Sequence, residues 1–229
     1  MTGERQASAP ISVSAQRLSV HAAGRDWILE RTADMESLWD EMDQAAFGED
    51  ERLPYWAEVW PASLLVCLWL EREKNFLRGR RCLDLGCGLG LTALVGAWLG
   101  AEVLALDYEP RALGFARRNA RINLEPDESA RVLWTVMDWR APGLREQGFS
   151  RIWGGDILYE KRFFVPLERL FRHCLEPGGE IWLGEPERTV SRSVWDRLTE
   201  LGWRTEIILR DKVAYGGQNQ TVRLWRITR

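Results

Sequence analysis

The pattern of hydrophobic and polar positions divides the chain into two parts at about residue 50. In the first part, Ile11–Val20 and Asp26–Arg31 alternate with the two-residue period of β-strands, on either side of the turn-like Ala22–Arg25. Ala33–Ala46 then carries a single apolar stripe at helical spacing. We therefore predict an N-terminal extension over residues 1–50, in which a β-hairpin and an amphipathic helix cap the rest of the chain.

From residue 80 onward, strand-like and helical segments alternate, which is typical of βαβ units around a mostly parallel sheet. The predicted strands are Arg81–Leu85, Glu102–Asp107, Arg131–Val136, Arg151–Asp156, Glu180–Gly184, Arg204–Leu209 and Thr221–Ile227. The predicted helices are Leu91–Leu99, Pro110–Asn123, Phe163–Cys174 and Ser191–Leu201. Only the turn-like 216–219 joins the last two strands, so they should form an antiparallel hairpin. We predict an α/β, Rossmann-like, seven-stranded domain over residues 51–229, with helices on both faces.

Composition and charge exclude several classes of protein. A net charge of −3 gives no basic field to attract nucleic acid or an anionic membrane. The longest apolar stretch, Pro61–Leu70, is far shorter than the roughly 20 residues of a membrane-spanning helix. The first 16 residues have no apolar core of a secretory leader, which favours a cytoplasmic protein. The spacings of the four cysteines do not match a zinc site, so we predict no bound metal. These cysteines are Cys67, Cys82, Cys87 and Cys174.

A glycine-rich loop with the sequence DLGCGLG lies between the first predicted strand of the sheet and a helix, at residues 84–90. Glycine lets the backbone turn sharply and approach a ligand closely, and the following helix offers free N–H groups. The loop departs from a dinucleotide-binding fingerprint, because Gly90 comes one place early and a bulky Leu91 follows it. The carboxylate of Asp84 would repel a pyrophosphate but suits a cationic amino-acid group. Gly86, Gly88 and Gly90 are the other predicted ligand contacts.

Two acidic positions follow the next two strands. Asp107, 23 residues after Asp84, is placed to accept hydrogen bonds from a ribose diol, although it could instead cap the following helix. Asp138 can accept from an adenine amino group while Trp139 stacks on the ring, unless that indole belongs only to the core. Together with the glycine loop, these positions predict a site for adenosine carrying a positively charged tail. Tyr108, next to Asp107, is assigned to the same site.

These motifs, with Pro177-Gly178-Gly179 before the fifth strand, resemble the series found in class I, seven-strand S-adenosylmethionine-dependent methyltransferases. Two further segments, PYWAEVWP at 54–61 and GGDILY at 154–159, resemble the nicotinamide N-methyltransferase-like family. That family includes protein-lysine methyltransferases that act on chaperones and on the electron transfer flavoprotein β subunit. The resemblance covers roughly residues 50–190.

The resemblance implies S-adenosylmethionine as methyl donor and a lysine side chain of a protein as acceptor. Tyr55 and Trp60 would close over the methionine end of the donor, and Gly155 would belong to the same site. A lysine amine, with a pKa of about 10.4, must lose a proton before it attacks, and Asp156 is the candidate to orient it or to take that proton. Tyr159 would supply an aromatic wall or a hydroxyl group. In the purely structural alternative, Asp156 caps a helix and Tyr159 packs on the sheet.

Other functions remain open at this point. The acceptor could be a small-molecule amine or another metabolite, or the chain could be a binding module that retains the donor site without a reaction. Methylation of adenine or of glutamine amides usually goes with an Asn-Pro-Pro-Tyr type motif after the fourth strand. This chain has Gly-Asp-Ile-Leu at residues 155–158 instead, so that chemistry is disfavoured. The oligomeric state does not follow from the sequence.

Overall fold

The computed structural model describes residues 15–34, 36, 38, 54–187 and 191–229. The strands are β1 (Ala15–Ala22), β2 (Arg25–Thr32), β3 (Arg81–Leu85), β4 (Glu102–Asp107), β5 (Val132–Val136), β6 (Phe149–Gly155), β7 (Leu175–Pro186), β8 (Arg204–Tyr215) and β9 (Gln218–Thr228). The α-helices are α1 (Pro61–Arg72), α2 (Lys74–Leu77), α3 (Leu91–Trp98), α4 (Pro110–Asn123), α5 (Pro126–Ser129), α6 (Phe164–Cys174) and α7 (Arg192–Glu200). Short 3₁₀ turns lie at Tyr55–Ala57 and Lys161–Phe163.

The main sheet has seven strands in the order β5-β4-β3-β6-β7-β9-β8. β5, β4, β3, β6 and β7 pair in parallel, whereas β9 runs antiparallel to both β7 and β8. The predicted fold is therefore confirmed. The chain moves outward from β3 to β5 and then returns to the other side of β3 with β6, so the strand order reverses beside β3. In α/β sheets, ligands bind at the carboxyl ends of the strands at such a reversal.

Each face of the sheet carries its own apolar cluster. Buried side chains of α1, α3 and α4 pack on one face, and those of α6 and α7 pack on the other. α1 approaches the sheet at two glycines: a Cβ atom on Gly184 would lie 2.7 Å from the Ala62 carbonyl oxygen, and one on Gly155 would lie 2.5 Å from Ser63 Oγ. Glycine at these positions brings the amino end of α1 to the carboxyl edge of β6 and β7.

The predicted N-terminal hairpin is present as β1 and β2, and it packs on the outer side of α4. Asn123 Oδ1 accepts the N–H of Ile28 at 2.8 Å while its amide nitrogen donates to the Ile28 carbonyl at 2.7 Å. Asn119 makes the same pair of bonds with Glu30, at 2.6 and 3.1 Å. Two asparagines of α4 thus replace a neighbouring strand along β2, and the buried ring of Trp27 fills the space beneath the hairpin.

The clearest differences between the structure and the predicted strand bounds lie in β6, β7, β8 and β9. β7 begins at Leu175 because Leu175 already pairs with Phe149, five residues before the predicted start. β8 and β9 pair along Arg204–Tyr215 and Gln218–Thr228, and they are longer than expected. β6 ends at Gly155 rather than Asp156. Most of the helix predicted over Ala33–Ala46, and the domain boundary predicted near residue 50, lie outside the described residues. No helix in the described part of the chain is long and apolar enough to cross a membrane.

Candidate functional site

An open cleft of about 1220 Å³ lies at the carboxyl edge of the sheet, where the strand order reverses. It is bounded by the loops after β3, β4, β5 and β6 and by the segment that enters α1. The residues predicted from the sequence that line it are Tyr55, Trp60, Gly86, Gly88, Asp107, Tyr108, Asp138, Trp139, Gly155, Asp156 and Tyr159. None of residues 15–34 lines the cleft, although Arg31 forms an ion pair with the lining residue Glu58.

The glycine loop adopts left-handed backbone conformations that favour glycine. φ is 65° at Gly86, 51° at Gly88 and 91° at Gly90. A Cβ atom on Gly88 would lie 3.1 Å from the Trp56 carbonyl oxygen, so the loop fits closely under the segment that precedes α1. Gly90 forms the N-cap of α3 and faces the side chains of α4 and β5 instead of the cleft.

Asp107 connects the ends of β3 and β4. Its Oδ2 accepts the N–H of Gly88 at 2.8 Å, and its Oδ1 accepts the N–H of Glu109 at 2.9 Å. Burial raises the pKa of this carboxyl to about 6, against the lowering effect of the two backbone hydrogen bonds. Each oxygen keeps a second lone pair that a hydroxyl donor in the cleft can use.

Asp84 lies beneath the glycine loop and is absent from the cleft lining. Its Oδ2 accepts a hydrogen bond from the Thr92 hydroxyl at 2.6 Å, and Thr92 itself lines the cleft. Burial raises the pKa of Asp84 to about 7, although the bond from Thr92 acts in the opposite direction. Asp84 is thus linked to the cleft lining through Thr92, and its predicted direct contact with a cationic group stays a prediction.

The loop after β5 places an acid and an indole on one side of the cleft. Asp138 is bound by Arg140, whose Nε lies 2.8 Å from Oδ2 and whose backbone N–H donates to Oδ1 at 2.8 Å. The ring of Trp139 lies edge-on to Phe163, with centroids 5.3 Å apart, and it covers Gly86. A Cβ atom on Gly86 would be 3.5 Å from this indole.

Asp156 stands where β6 ends, at the opposite side of the cleft from Asp138. Its φ of 59° is unusual for a residue other than glycine, and its backbone N–H donates to the Gly184 carbonyl of β7 at 2.7 Å. The left-handed conformation ends the strand and leaves the largely buried side chain in the cleft lining. Strain at a single polar residue in a cleft is typical of functional sites.

Aromatic rings form a continuous wall from the α1 side of the cleft to the β5 side. Tyr159 contacts Tyr55 at 5.3 Å and Phe163 at 5.6 Å between ring centroids, both edge-to-face. Tyr55 in turn contacts Trp60 at 5.7 Å, and the Trp60 indole N–H donates to the Tyr55 carbonyl at 2.8 Å. Burial raises the pKa of Tyr159, so its hydroxyl stays protonated at neutral pH. The wall presents aromatic faces and edges, which suit a planar base and a cation.

The cleft carries more acidic than basic groups. Its charged lining residues are Glu58, Asp107, Glu109, Asp138, Asp156, Glu160, Arg140 and Arg162. Arg140 pairs with Asp138, and Arg162 lies against Glu160. The excess of carboxylates favours a cationic ligand over a polyphosphate.

Several lining residues are not marked by the sequence motifs. Phe163 belongs to a 3₁₀ turn and lies in the cleft lining between Tyr159 and Trp139. Thr92 lies in the first turn of the helix that follows the glycine loop, which is the one local feature that could have indicated it. Ser63 enters the lining because α1 approaches Gly155 so closely.

The sequence matches a family described as lysine methyltransferase over residues 43–198. EEF1A lysine methyltransferase 3 of Mus musculus is 30% identical over 166 residues, which cover 70% of this chain and 69% of that protein. Protein N-lysine methyltransferase METTL21A of Xenopus tropicalis is 35% identical over 117 residues, which cover 51% of this chain and 54% of the relative. The match to this last relative thus spans about half its length.

Solved structures agree on the fold. A putative RNA methyltransferase of Pyrococcus horikoshii superposes with a TM-score of 0.59 at 17% identity, covering 82% of this chain and 97% of that one. TYW2 of P. horikoshii, in complex with MeSAdo, gives 0.57 at 18% identity, covering 93% and 72%. At these identities the likeness establishes the Rossmann-like methyltransferase architecture alone. The family match covers more than half of the sequence, and the chain therefore belongs to the lysine methyltransferase family.

Proposed function

We propose that this protein transfers a methyl group from S-adenosylmethionine to the side-chain amine of a lysine in another protein. The observation that carries the proposal is the cleft itself, in which carboxylates outnumber arginines and an aromatic wall joins the two sides. Both the sulfonium of the donor and the ammonium of a free lysine are cations, so one acidic, aromatic cleft suits both.

The residues present fit the proposed donor. Asp107 has lone pairs for a ribose diol, and the backbone of Gly86 and Gly88 allows close approach. Trp139 offers a flat face to adenine, with Asp138 as an acceptor for the amino group. The remaining residues that we assign to donor binding are Tyr55, Trp60, Tyr108 and Gly155, with Asp84 and Gly90 supporting the loop from beneath. When bound, S-adenosylmethionine supplies an electrophilic methyl group on sulfur.

In this proposal Asp156 and Tyr159 prepare the acceptor. The Asp156 carboxylate accepts a hydrogen bond from the incoming amine, orients its lone pair and takes the proton that the ammonium must lose. The rings of Tyr159 and Tyr55 exclude water beside the amine and stabilise positive charge. The protein thus acts chiefly by holding two reactants in line, which is the main requirement of a displacement at a methyl group.

Tritium-labelled S-adenosylmethionine added to purified protein and a cell lysate tests this function. We expect label in protein bands and methyl-lysine after complete hydrolysis, with much weaker labelling by Asp107→Asn when the donor is limiting. Label confined to the low-mass fraction would instead assign a small-molecule amine as acceptor. Tight donor binding without any S-adenosylhomocysteine would indicate a binding module.

A further inference from the structure

A buried carboxylate lies beside the cleft without taking part in its lining. Glu185, at the carboxyl end of β7, is only 2% exposed. Its Oε1 accepts three hydrogen bonds: from the indole N–H of Trp195 at 3.1 Å, from that of Trp225 at 3.0 Å and from the Arg223 guanidinium at 2.8 Å. Burying an ionised carboxylate is costly, and these three donors compensate for the lost water.

The three donors come from two different elements. Trp195 belongs to α7, whereas Arg223 and Trp225 belong to β9, which pairs with β7. The two indoles are stacked, with centroids 4.0 Å apart and an interplanar angle of 12°. Glu185 thus fixes the end of β7 to a helix and to a strand at the same time.

The end of β7 is the part of the sheet that holds Asp156. The carbonyl of Gly184, the residue next to Glu185, accepts the backbone N–H of Asp156 at 2.7 Å. Gly184 is also pressed by α1, since a Cβ atom there would lie 2.7 Å from the Ala62 carbonyl oxygen. The backbone N–H of Asp156 is therefore bound to a carbonyl that lies between Glu185, the next residue along β7, and the start of α1.

We propose that Glu185 is a positioning residue for methyl transfer: through Gly184 it holds Asp156 in the left-handed conformation that directs its carboxylate into the cleft. This inference rests on the function proposed above. It explains why a buried carboxylate with three donors lies at this strand end, where an apolar side chain would satisfy packing alone.

The test uses variants that remove one donor but retain an aromatic ring. Trp195→Phe and Trp225→Phe each delete an indole N–H bound to Glu185, and Glu185→Gln removes the charge. Trp203→Phe is the matched control. The Trp203 indole N–H donates to Glu168 of α6 at 2.9 Å, and Arg172 also donates to that carboxylate. This second cluster thus contains the same residue types, a glutamate bound by a tryptophan and an arginine. Each variant is compared for donor affinity by calorimetry, for turnover, and for hydrogen exchange of the Asp156 amide.

We expect Trp195→Phe to lower kcat about tenfold or more, since small displacements of a reacting group are enough for such losses. The Asp156 amide should exchange at least about tenfold faster, because its hydrogen bond to Gly184 opens more often. Donor affinity should stay within about twofold, and Trp203→Phe should change neither kcat nor that amide. If Trp195→Phe does not fold, Trp225→Phe provides the same comparison.

Unchanged exchange at Asp156 in the folded variants, or faster exchange with unchanged kcat, would overturn the role of Glu185. A loss of donor affinity equal to the loss of turnover would also overturn it, since it would indicate a general disturbance of the cleft. Failure of the proposed function is distinguishable: wild-type protein would then form no methyl-lysine, whereas the exchange measurement would still report whether Glu185 holds Asp156.

Discussion

The Asp107 carboxylate accepts the backbone N–H of Gly88 at 2.8 Å, and this bond joins the glycine loop after β3 to the end of β4. A single side chain thereby shapes the loop and presents its remaining lone pairs to the cleft. The shape of the glycine loop and the proposed contact with the ribose both depend on Asp107. Its loss should therefore affect S-adenosylmethionine binding most directly.

Asp107→Asn should weaken S-adenosylmethionine binding by about tenfold to hundredfold, because hydrogen bonds to a charged group contribute roughly 1.5–3 kcal/mol. The amide NH₂ would also face one of the two backbone N–H donors. Titration calorimetry measures the affinity, and Asp127→Asn, an exposed carboxylate on α5, is the control. Equal affinities for Asp107→Asn and wild type would remove Asp107 from the donor site.

The two buried acids predict how stability depends on pH. The pKa values of Asp84 and Asp107 are raised from 3.8 to about 7 and about 6, so the folded state holds more protons than the unfolded state in that range. Their contribution to the free energy of unfolding should therefore be fully present below about pH 4 and should fall towards pH 7, by at most about 1.4 kcal/mol per pH unit for each group. Urea unfolding at several pH values measures this slope for the donor-free protein.

Asp84→Asn should flatten that slope between pH 4 and 7, since an amide has no proton to lose. Thr92→Val should extend the fall in stability to higher pH, because the Thr92 hydroxyl stabilises the ionised form of Asp84 and its loss raises the pKa further. A slope that is the same in all three proteins would contradict the assigned shift.

Gly88→Ala should lower both stability and donor affinity. The substitution adds the cost of a left-handed alanine, about 1 kcal/mol, and places Cβ 3.1 Å from the Trp56 carbonyl oxygen, so the loop or Trp56 must move. Gly24→Ala is the matched control, because Gly24 also has a positive φ but no atom within 4 Å of the added carbon. Thermal unfolding and calorimetry of the two variants should separate backbone strain from the steric effect on the cleft.

Asp156→Asn should reduce kcat by about a hundredfold or more while donor affinity stays unchanged, as expected for loss of a proton acceptor. Asparagine tolerates the left-handed backbone as well as aspartate does, so this variant removes the negative charge without adding backbone strain. Asp156→Ala should add a loss of stability. Single-turnover assays with labelled donor provide the rate, and unaltered turnover in Asp156→Asn would exclude its assigned role.

The residues at strand ends were predictable because parallel strands bring their carboxyl ends to one edge wherever the helices lie. Asp107 and Asp138 could be placed from hydrophobic periodicity and their position after the strands, whereas Asp156 was singled out with the help of the family resemblance. The orientation of Asp84 could not, since it depends on how closely α3 packs and brings Thr92 to the carboxylate.

The length of β8 and β9 could not be predicted from the sequence either. Lys212 and Asp211 interrupt the apolar alternation, but cross-strand pairing continues past them to the Gly216–Gly217 turn, where both residues have positive φ. The role of Phe163 was not evident for a related reason, because its place in the aromatic wall comes partly from contact with Trp139, which is distant in the sequence but adjacent in the fold.

The two asparagines of α4 that bind β2 have a consequence for association. An exposed strand edge offers N–H and C=O groups that can pair with another chain and begin aggregation. At Ile28 and Glu30 those groups are already occupied by the side-chain amides of Asn123 and Asn119. Another strand therefore cannot pair with β2 at these positions, because side chains of α4 already occupy its backbone groups.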